Sequence, residues 1–456
     1  MHIHILGACG TFMGGVALLA KRAGHRVSGQ DQHTYPPMST QLESEGIELF
    51  EGYSPECMES SPPDLVVIGN ALSRGNPAVE YVLNSDIDYV SGPRWLGRNY
   101  LKGKKVIAVA GTHGKTSTSS MIAWILEAAG LNPGFLIGGI PGNFGYSARD
   151  GEAFFVVEAD EYDTAFFDKR AKLVHYRPLI ATLNNLEFDH ADIYPDIKAI
   201  QTQFHHFIRT IPGNGTIISN GSDNRLEAVL DMGCWSQLER FSEEEGKDWQ
   251  VRCLEPDGSR LSFHHHGEEV GSMAWSQFGR HNAMNACAAV GAAVAAGVEP
   301  RLAVEALASY QGVKRRMELI QDANGVRVYS DFAHHPTAIR LTLEGLRRNV
   351  GNARVLVGME PRSNTMRSSV HVHELAPALT AADRVWMLTG DGIDWDPHEV
   401  LAPLEGRGRV VMKGDDMLEQ MLEAARPGDH VVFMSNGGFE SIPARFSRAL
   451  KGDEND

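Results

Sequence analysis

AVAGTHGKTSTSS, residues 108–120, is the stretch on which the reading of this chain turns. Apolar VIAVA at 106–110 leads into it as a buried strand would. After it Met121, Ile122, Ile125, Leu126 and Ala129 recur at helical spacing up to Gly130. Strand, glycine turn and helix are the order a phosphate site needs, because backbone N–H groups of 111–115 then surround an anion at the positive end of the helix. Lys115 can neutralise phosphate oxygens and the Thr116 hydroxyl can ligate Mg²⁺. The general pattern G-x-x-x-x-G-K-[ST] asks for glycine at position 109, yet the chain has Val109 there and its early glycine is Gly111. With Gly114, Lys115 and Thr116 intact at a helix start, the loop reads as an ATP site.

Two further strand ends face the same edge if the sheet is parallel. AFFVVEAD (153–160) brings Glu158 and Asp160, with Glu161 and Asp163 following; PLIATLNN (178–185) leads to Glu187, Asp189 and His190. Oxygen ligands such as Glu158 suit Mg²⁺. His190 taken alone reads equally as a ligand or as a core or capping histidine.

Outward from this centre the chain divides into three glycine-punctuated α/β segments. Residues 1–104 open with a strand at 2–6, a glycine loop at 7–15, a helix at about 16–23, a strand ending near Asp31 and a third strand, DLVVIGN (64–70). The loop GACGTFMGG is not the dinucleotide pattern G-x-G-x-x-G, since Cys9 and Phe12 stand at two glycine positions. A nicotinamide oxidoreductase is therefore disfavoured. Residues 105–312 hold the ATP loop, a β-rich insertion at about 213–280 and the Ala-rich helix NAMNACAAVGAAVAAG (282–297). Residues 313–456 carry four strand-like runs, VRVYSDFAHHP, RVLVGMEP, DRVWMLTG and DHVVFMSNGG, and end in KGDEND, expected as an acidic disordered tail.

Bulk numbers agree with an α/β protein of two to three domains: 456 residues, 43% hydrophobic and 22% charged. Forty-two Lys and Arg against 58 Asp and Glu give a net charge of −16, which speaks against a nucleic-acid partner. No apolar run approaches the roughly 18 residues a spanning helix needs, and no signal peptide is evident, so a cytoplasmic protein without a membrane partner is expected. Five scattered cysteines without C-x-x-C spacing fit a reducing compartment. His264–His266, the other methionines and ERFSEEEGKD (239–248) read as surface hairpin, core filling and solvated loop.

GTHGKT, EADE, N-L-E-x-D-H (185–190), GRHNAMNA (279–286), KRRME and DFAHHPT, in this order, resemble the Mur ligase family of peptidoglycan synthesis, and the match covers essentially the whole chain. That family's loop, A-x-[TA]-G-T-x-G-K-T, accounts for Val109 and Gly111. The resemblance implies three domains: a Rossmann-like UDP-sugar domain, a central P-loop ATPase domain and a Rossmann-like C-terminal domain that closes over the nucleotide. It implies transfer of the γ-phosphate to a substrate carboxylate and attack of an amine on the acyl phosphate. Gly111, Thr112, His113, Gly114, Lys115, Thr116 and Ser117 would form the ATP loop. Thr116 and Glu158 would hold one Mg²⁺ and His190 a second. His281 and Asn282 would lie near the adenine, Arg316 at phosphate, Asp331 at the ribose and His335 close by. Retention of both metal positions disfavours a mere nucleotide sensor.

Several family members carry a carbamylated lysine at a position matched here by His205 in QTQFHHFI (201–208), so no carbamyl-lysine is expected. The muramate-using branch also lacks it. By that likeness the first-domain loop and NALSRGNP (70–77) would bind the UDP-sugar through Thr11, Phe12, Met13, Asn70 and Ser73, with Asp31 a weaker candidate. SDFAHHPT and MEPRSNTMRSS (359–369) depart from the alanine-adding members and resemble those of peptidoglycan recycling, which join the tripeptide L-Ala-γ-D-Glu-meso-diaminopimelate to UDP-N-acetylmuramate. Arg362 and Asn364 would meet the peptide, with Arg367 evenly split between ligand and solvated loop. The alternative is the alanine-adding reaction. A monomer or weak homodimer is expected.

Overall fold

The computed structural model describes residues 1–390 and 392–452, so from Asp453 onward the expected acidic tail lies outside the described residues. Three large sheets follow one another along the described residues, with a two-stranded hairpin of Asp163–Ala165 and Asp168–Ala171 beside the second. The first holds five parallel strands in the spatial order Glu48–Glu51, Arg26–Asp31, His2–Leu6, Leu65–Ile68, Asp88–Ser91. Leu65–Ile68 is thus the fourth strand and not the third. The additional strand, ELFE, has only exposed and half-buried residues at the sheet edge, so no apolar run announces it. The Thr11–Arg22 helix also begins earlier than residue 16. Its Gly14 and Gly15 serve contact and not a turn, for a Cβ there would stand 2.3 Å from Met38 Sδ and 2.1 Å from Leu136 Cδ1.

The central sheet has ten strands. Its middle, Lys105–Ala110, lies between Ile180–Leu183 and Phe154–Glu158, parallel to both. Residues 106–110 and 180–183 are buried throughout, as strands covered on both faces must be. The stretch expected as a β-rich insertion is a continuation of this sheet. Thr216–Asn220 pairs in parallel with Ile180–Leu183, then Gln237–Ser242 and Trp249–Cys253 follow in parallel, and an antiparallel edge of Arg260–His265 and Glu268–Ala274 ends it. The Arg280–Ala295 helix packs beside the Lys115–Ala128 helix and against the sheet. Six of its buried residues are alanines, Ala283, Ala286, Ala288, Ala289, Ala292 and Ala293, beside Asn285, Cys287 and Val290, and a Cβ on its Gly291 would sit 3.1 Å from Ile218.

The third sheet has six strands where four were expected, in the order Glu318–Ala323, Val326–Asp331, His430–Met434, Val355–Met359, Arg384–Leu388, Gly408–Val411. The two additions are its edges, short strands whose residues, Val411 apart, are exposed or half-buried. All five cysteines are free, and no helix among the described residues is long and apolar enough to cross a membrane.

His4 gives the first sheet a pH dependence. It is buried, with Nδ1 2.8 Å from Ser28 Oγ and Nε2 3.1 Å from Gln30 Oε1. Burial pushes its imidazole down to about 4, against the raising effect of the Gln30 contact. The unfolded chain takes up this proton near 6.5, so between pH 6.5 and 4 it binds more protons and stability falls as pH drops. The fall is roughly 3 kcal/mol for a shift of this size at 1.36 kcal/mol per unit. His4→Gln is expected to remove that share of the acid sensitivity, read from urea unfolding at pH 7 and 4.5. Parallel losses in both proteins would refute it.

Candidate active site

The turn after the Lys105–Ala110 strand needs its glycines. Gly111 and Gly114 have φ of 143° and 79°, and a Cβ on Gly114 would lie 2.3 Å from Asn285 Oδ1. The loop is locked by the end of the neighbouring strand: His113 N donates to Asn185 Oδ1 at 2.7 Å, Thr112 N to Asn185 O at 3.2 Å, and Glu187 N to Thr112 Oγ1 at 2.8 Å. Below it Asn184 Nδ2 donates to Thr118 Oγ1 at 2.8 Å. The N–H groups at the start of the Lys115–Ala128 helix therefore face a rigid concavity.

Lys115 Nζ lies 2.7 Å from Gly111 O, 2.9 Å from Glu161 Oε2 and 3.5 Å from Asp160 Oδ1. Burial works against its charge, but Glu161, Asp160 and Glu158 outweigh it and hold the ammonium more firmly protonated than usual. His190, at φ 56°, puts Nε2 3.4 Å from Glu161 Oε1. Burial would lower its pKa, yet Glu161, Asp189 and Asp160 raise it to about 9. Asp160, Glu161 and His190 bring one ligand atom each to within 4.8 Å of one another, a hard, mostly oxygen donor set that fits a divalent cation. His190 thus groups with Asp160 and Glu161, whereas Glu158 belongs to a second cluster.

In that cluster Glu158 Oε1 accepts from Gly138 N at 2.5 Å and stands by Thr116 and Arg316. Burial raises its pKa despite the Gly138 N–H, Lys115, Arg316 and Thr116. Arg316, from the start of the third segment, crosses to donate from Nη2 to Thr116 Oγ1 at 3.2 Å. Its neighbour Arg315 stays home, donating to Ser435 O at 2.7 Å and Gly437 O at 2.6 Å. Asp331 accepts from Met317 N and Ala333 N, both at 2.7 Å, so it shapes its own loop as well as lining the cleft.

His335 caps the Pro336–Val350 helix through Nδ1, which accepts from Thr337 N at 3.2 Å, and its buried Nε2 has no partner. Burial and the nearby His113 lower its pKa to about 3. His113 Nε2 is 3.1 Å from Glu187 Oε2. His281 lines the same space, pushed down to about 4 by burial and then His113, while Asn282 Nδ2 donates to Phe278 O at 2.8 Å.

These groups surround one cleft of about 690 Å³, lined by residues 112–117, Glu158, His190, His281, Asn282, Arg316, Asp331 and His335. Gly111 forms the turn beneath it. Of the residues expected at a UDP-sugar, Phe12 reaches the cleft. Thr11 and Ser73 are exposed and Asn70 is half-buried near strand ends of the first sheet. Met13 is buried, and Cβ atoms on Gly69 and Gly92 would touch its side chain, so that side chain packs beneath the loop. Asp31 Oδ2 accepts from Cys9 N at 2.8 Å, bracing the same loop.

The peptide candidates lie outside the cleft lining. Arg362 is exposed, with Nη1 3.3 Å from Glu360 Oε1. Asn364 Nδ2 donates to Asp192 Oδ2 at 3.1 Å, tying the third segment to the central one. Arg367 is half-buried, and its Nε donates to Gly392 O at 2.9 Å. His205 is buried in its helix, its ring centroid 6.0 Å from that of Trp235. Residues that sequence reasoning passes over include His371, whose Nε2 is 3.0 Å from Phe188 O, and Lys172, 3.1 Å from Asp160 Oδ2. Neither stands in a recognisable motif.

Three family models match in succession: Mur ligase family, catalytic domain, over residues 2–102; Mur ligase middle domain over 109–293; and Mur ligase, glutamate ligase domain, over 315–437. The chain is 52% identical over 448 residues, 97% of its length and 96% of the relative's, to UDP-N-acetylmuramate–L-alanyl-γ-D-glutamyl-meso-2,6-diaminoheptandioate ligase of Escherichia coli (strain K12). It is 32% identical over 99% of its length, and 97% of the relative's, to UDP-N-acetylmuramate–L-alanine ligase of Paenarthrobacter aurescens (strain TC1). Among solved structures, a murein peptide ligase from Psychrobacter arcticus 273-4 superposes with a TM-score of 0.78 at 44% identity, covering 100% of both chains. Matched in this way from residue 2 to residue 437, with its phosphate loop inside the middle-domain model, the chain belongs to the Mur ligase family.

Proposed function

We propose that the chain is an ATP-dependent ligase that joins L-Ala-γ-D-Glu-meso-diaminopimelate to the carboxylate of UDP-N-acetylmuramate, a step of peptidoglycan recycling. The observation that carries the substrate choice is the gap between 52% identity to a ligase of that name and 32% to an alanine-adding one. Residues 1–104 take the UDP-sugar, 105–312 the nucleotide, and 313–456 the peptide while closing over ATP. The enzyme works in the cytoplasm as a monomer or weak homodimer.

The chemistry follows from the cleft. A carboxylate oxygen attacks the γ-phosphorus and ADP departs; the peptide amine then attacks the acyl carbon, loses a proton and expels phosphate. Lys115 and the loop N–H groups hold the transferring phosphoryl group, and Arg316 adds charge from the third domain. Thr116 and Glu158, and Asp160, Glu161 and His190, would hold Mg²⁺, which would supply charge neutralisation. His281 and Asn282 border the adenine space, and Asp331 and His335 the ribose side.

Phosphate release by the purified protein with ATP, Mg²⁺ and UDP-N-acetylmuramate tests the reading. Turnover is expected with the tripeptide and not with L-alanine, and chelation of Mg²⁺ should abolish it. Turnover with alanine alone would transfer the chain to the alanine-adding reaction.

A further inference from the structure

Lys172 follows the hairpin of Asp163–Ala165 and Asp168–Ala171 and opens a short 3-10 turn, Lys172–His175. Its backbone N–H donates to Tyr162 O at 2.9 Å, which fixes where the side chain starts. The ammonium lies 3.1 Å from Asp160 Oδ2 and 5.7 Å from the ring centroids of Phe12 and Tyr162. The other oxygen of Asp160 faces Lys115 at 3.5 Å. Phe12, Lys172, Asp160 and Lys115 therefore form a row along the cleft, from the glycine loop of the first domain to the phosphate loop of the second.

We propose that Lys172 binds the lactyl carboxylate of UDP-N-acetylmuramate and holds it for attack on ATP. This rests on the substrate reading above. The UDP end of that substrate belongs at the glycine loop, and its reactive carboxylate has to arrive above Lys115. A cation midway between the two is where the acid passes. The surroundings of Lys172 suit this role. Its side chain is 12% exposed, so it is largely desolvated, and Asp160 takes one of its three N–H donors. Asp160 orients the ammonium, while the two aromatic rings keep water from one side. A charge-assisted hydrogen bond in such surroundings is stronger than one in water. A purely structural ion pair would need no place in the cleft lining and no contact with the first-domain loop.

UDP-N-acetylglucosamine and UDP share the nucleotide but lack the lactyl acid, so they separate carboxylate binding from everything else. Affinities would be measured by titration calorimetry without ATP for the wild type, Lys172→Met and Lys172→Arg. The methionine variant is expected to lose roughly tenfold or more in affinity for UDP-N-acetylmuramate, the scale of a hydrogen bond to a charged group. Its affinity for the two acid-free ligands should stay at the wild-type value, which also reports that it is folded. Arginine should restore part of the loss. In turnover, kcat/KM for UDP-N-acetylmuramate should fall with the KM for ATP and tripeptide unchanged. A methionine variant that keeps the wild-type ratio of affinities between the acid and its acid-free counterparts overturns the assignment and leaves Lys172 a partner of Asp160. A wild type that binds none of the three ligands overturns the substrate reading itself, and the assignment with it.

Discussion

Lys115→Met is expected to slow turnover by on the order of a thousandfold, the scale on which preorganised charge at a reacting centre acts. The substitution keeps the stem and removes the charge. No other group of the loop can replace it, since Thr112, His113 and Ser117 carry no fixed positive charge. Affinity for UDP-N-acetylmuramate should be little changed. The same variant should be less stable. Glu161 is 1% exposed and 2.9 Å from the Lys115 ammonium, so the substitution strips a buried carboxylate of a hydrogen-bonded cation. Breaking such a pair costs about 3–5 kcal/mol. Single-turnover phosphate release and urea unfolding report the two effects, and turnover within tenfold of wild type would exclude Lys115 from the reaction.

Glu158→Gln should separate the same two quantities in the opposite way. The amide can still accept from Gly138 N, so the local fold is kept. What is lost is an anion beside Thr116, and with it, on the proposed reading, a Mg²⁺ ligand. We expect kcat to fall on the order of a hundredfold, with a higher Mg²⁺ concentration needed for half-maximal rate. Stability should hold or rise without metal, because burial raises the pKa of Glu158 and the ionised form is therefore disfavoured in the fold. A variant with wild-type Mg²⁺ dependence would remove Glu158 from the metal site. Lys115 and Glu158 thus predict opposite signs for stability and the same sign for catalysis.

What is legible in the sequence and what is not differ by a physical pattern. The Lys105–Ala110 strand, its turn and the Lys115–Ala128 helix are legible because they are local: an apolar run, two glycines and a helical repeat lie within one short stretch. Acidic residues at the ends of Phe154–Glu158 and Ile180–Leu183 are legible once a parallel sheet is assumed. Sheet membership of 213–280 is not, because Thr216–Asn220 joins Ile180–Leu183 by pairing across a long intervening helix. Edge strands such as Glu48–Glu51 escape because half of their neighbours are water. The burial of the Met13 side chain is not legible either, because it follows from a helix that starts at Thr11 and not near residue 16. Lys172 cannot be found at all without the hairpin that turns it back against Asp160.

The alanine face of the Arg280–Ala295 helix bears on nucleotide choice. His281 and Asn282 stand at its first turn, while Asn285, one turn on, touches Gly114 of the phosphate loop. With methyl groups for most of its buried side chains, the helix has little to repack and little room to slide against Lys115–Ala128. The gap between His281 and Asn282 at one end of the cleft and the 112–117 loop at the other is accordingly a fixed length, a ruler cut in the interior of the protein. On the proposed reading, selection of a triphosphate over shorter or longer chains would then belong as much to these alanines, which do not line the cleft, as to Lys115.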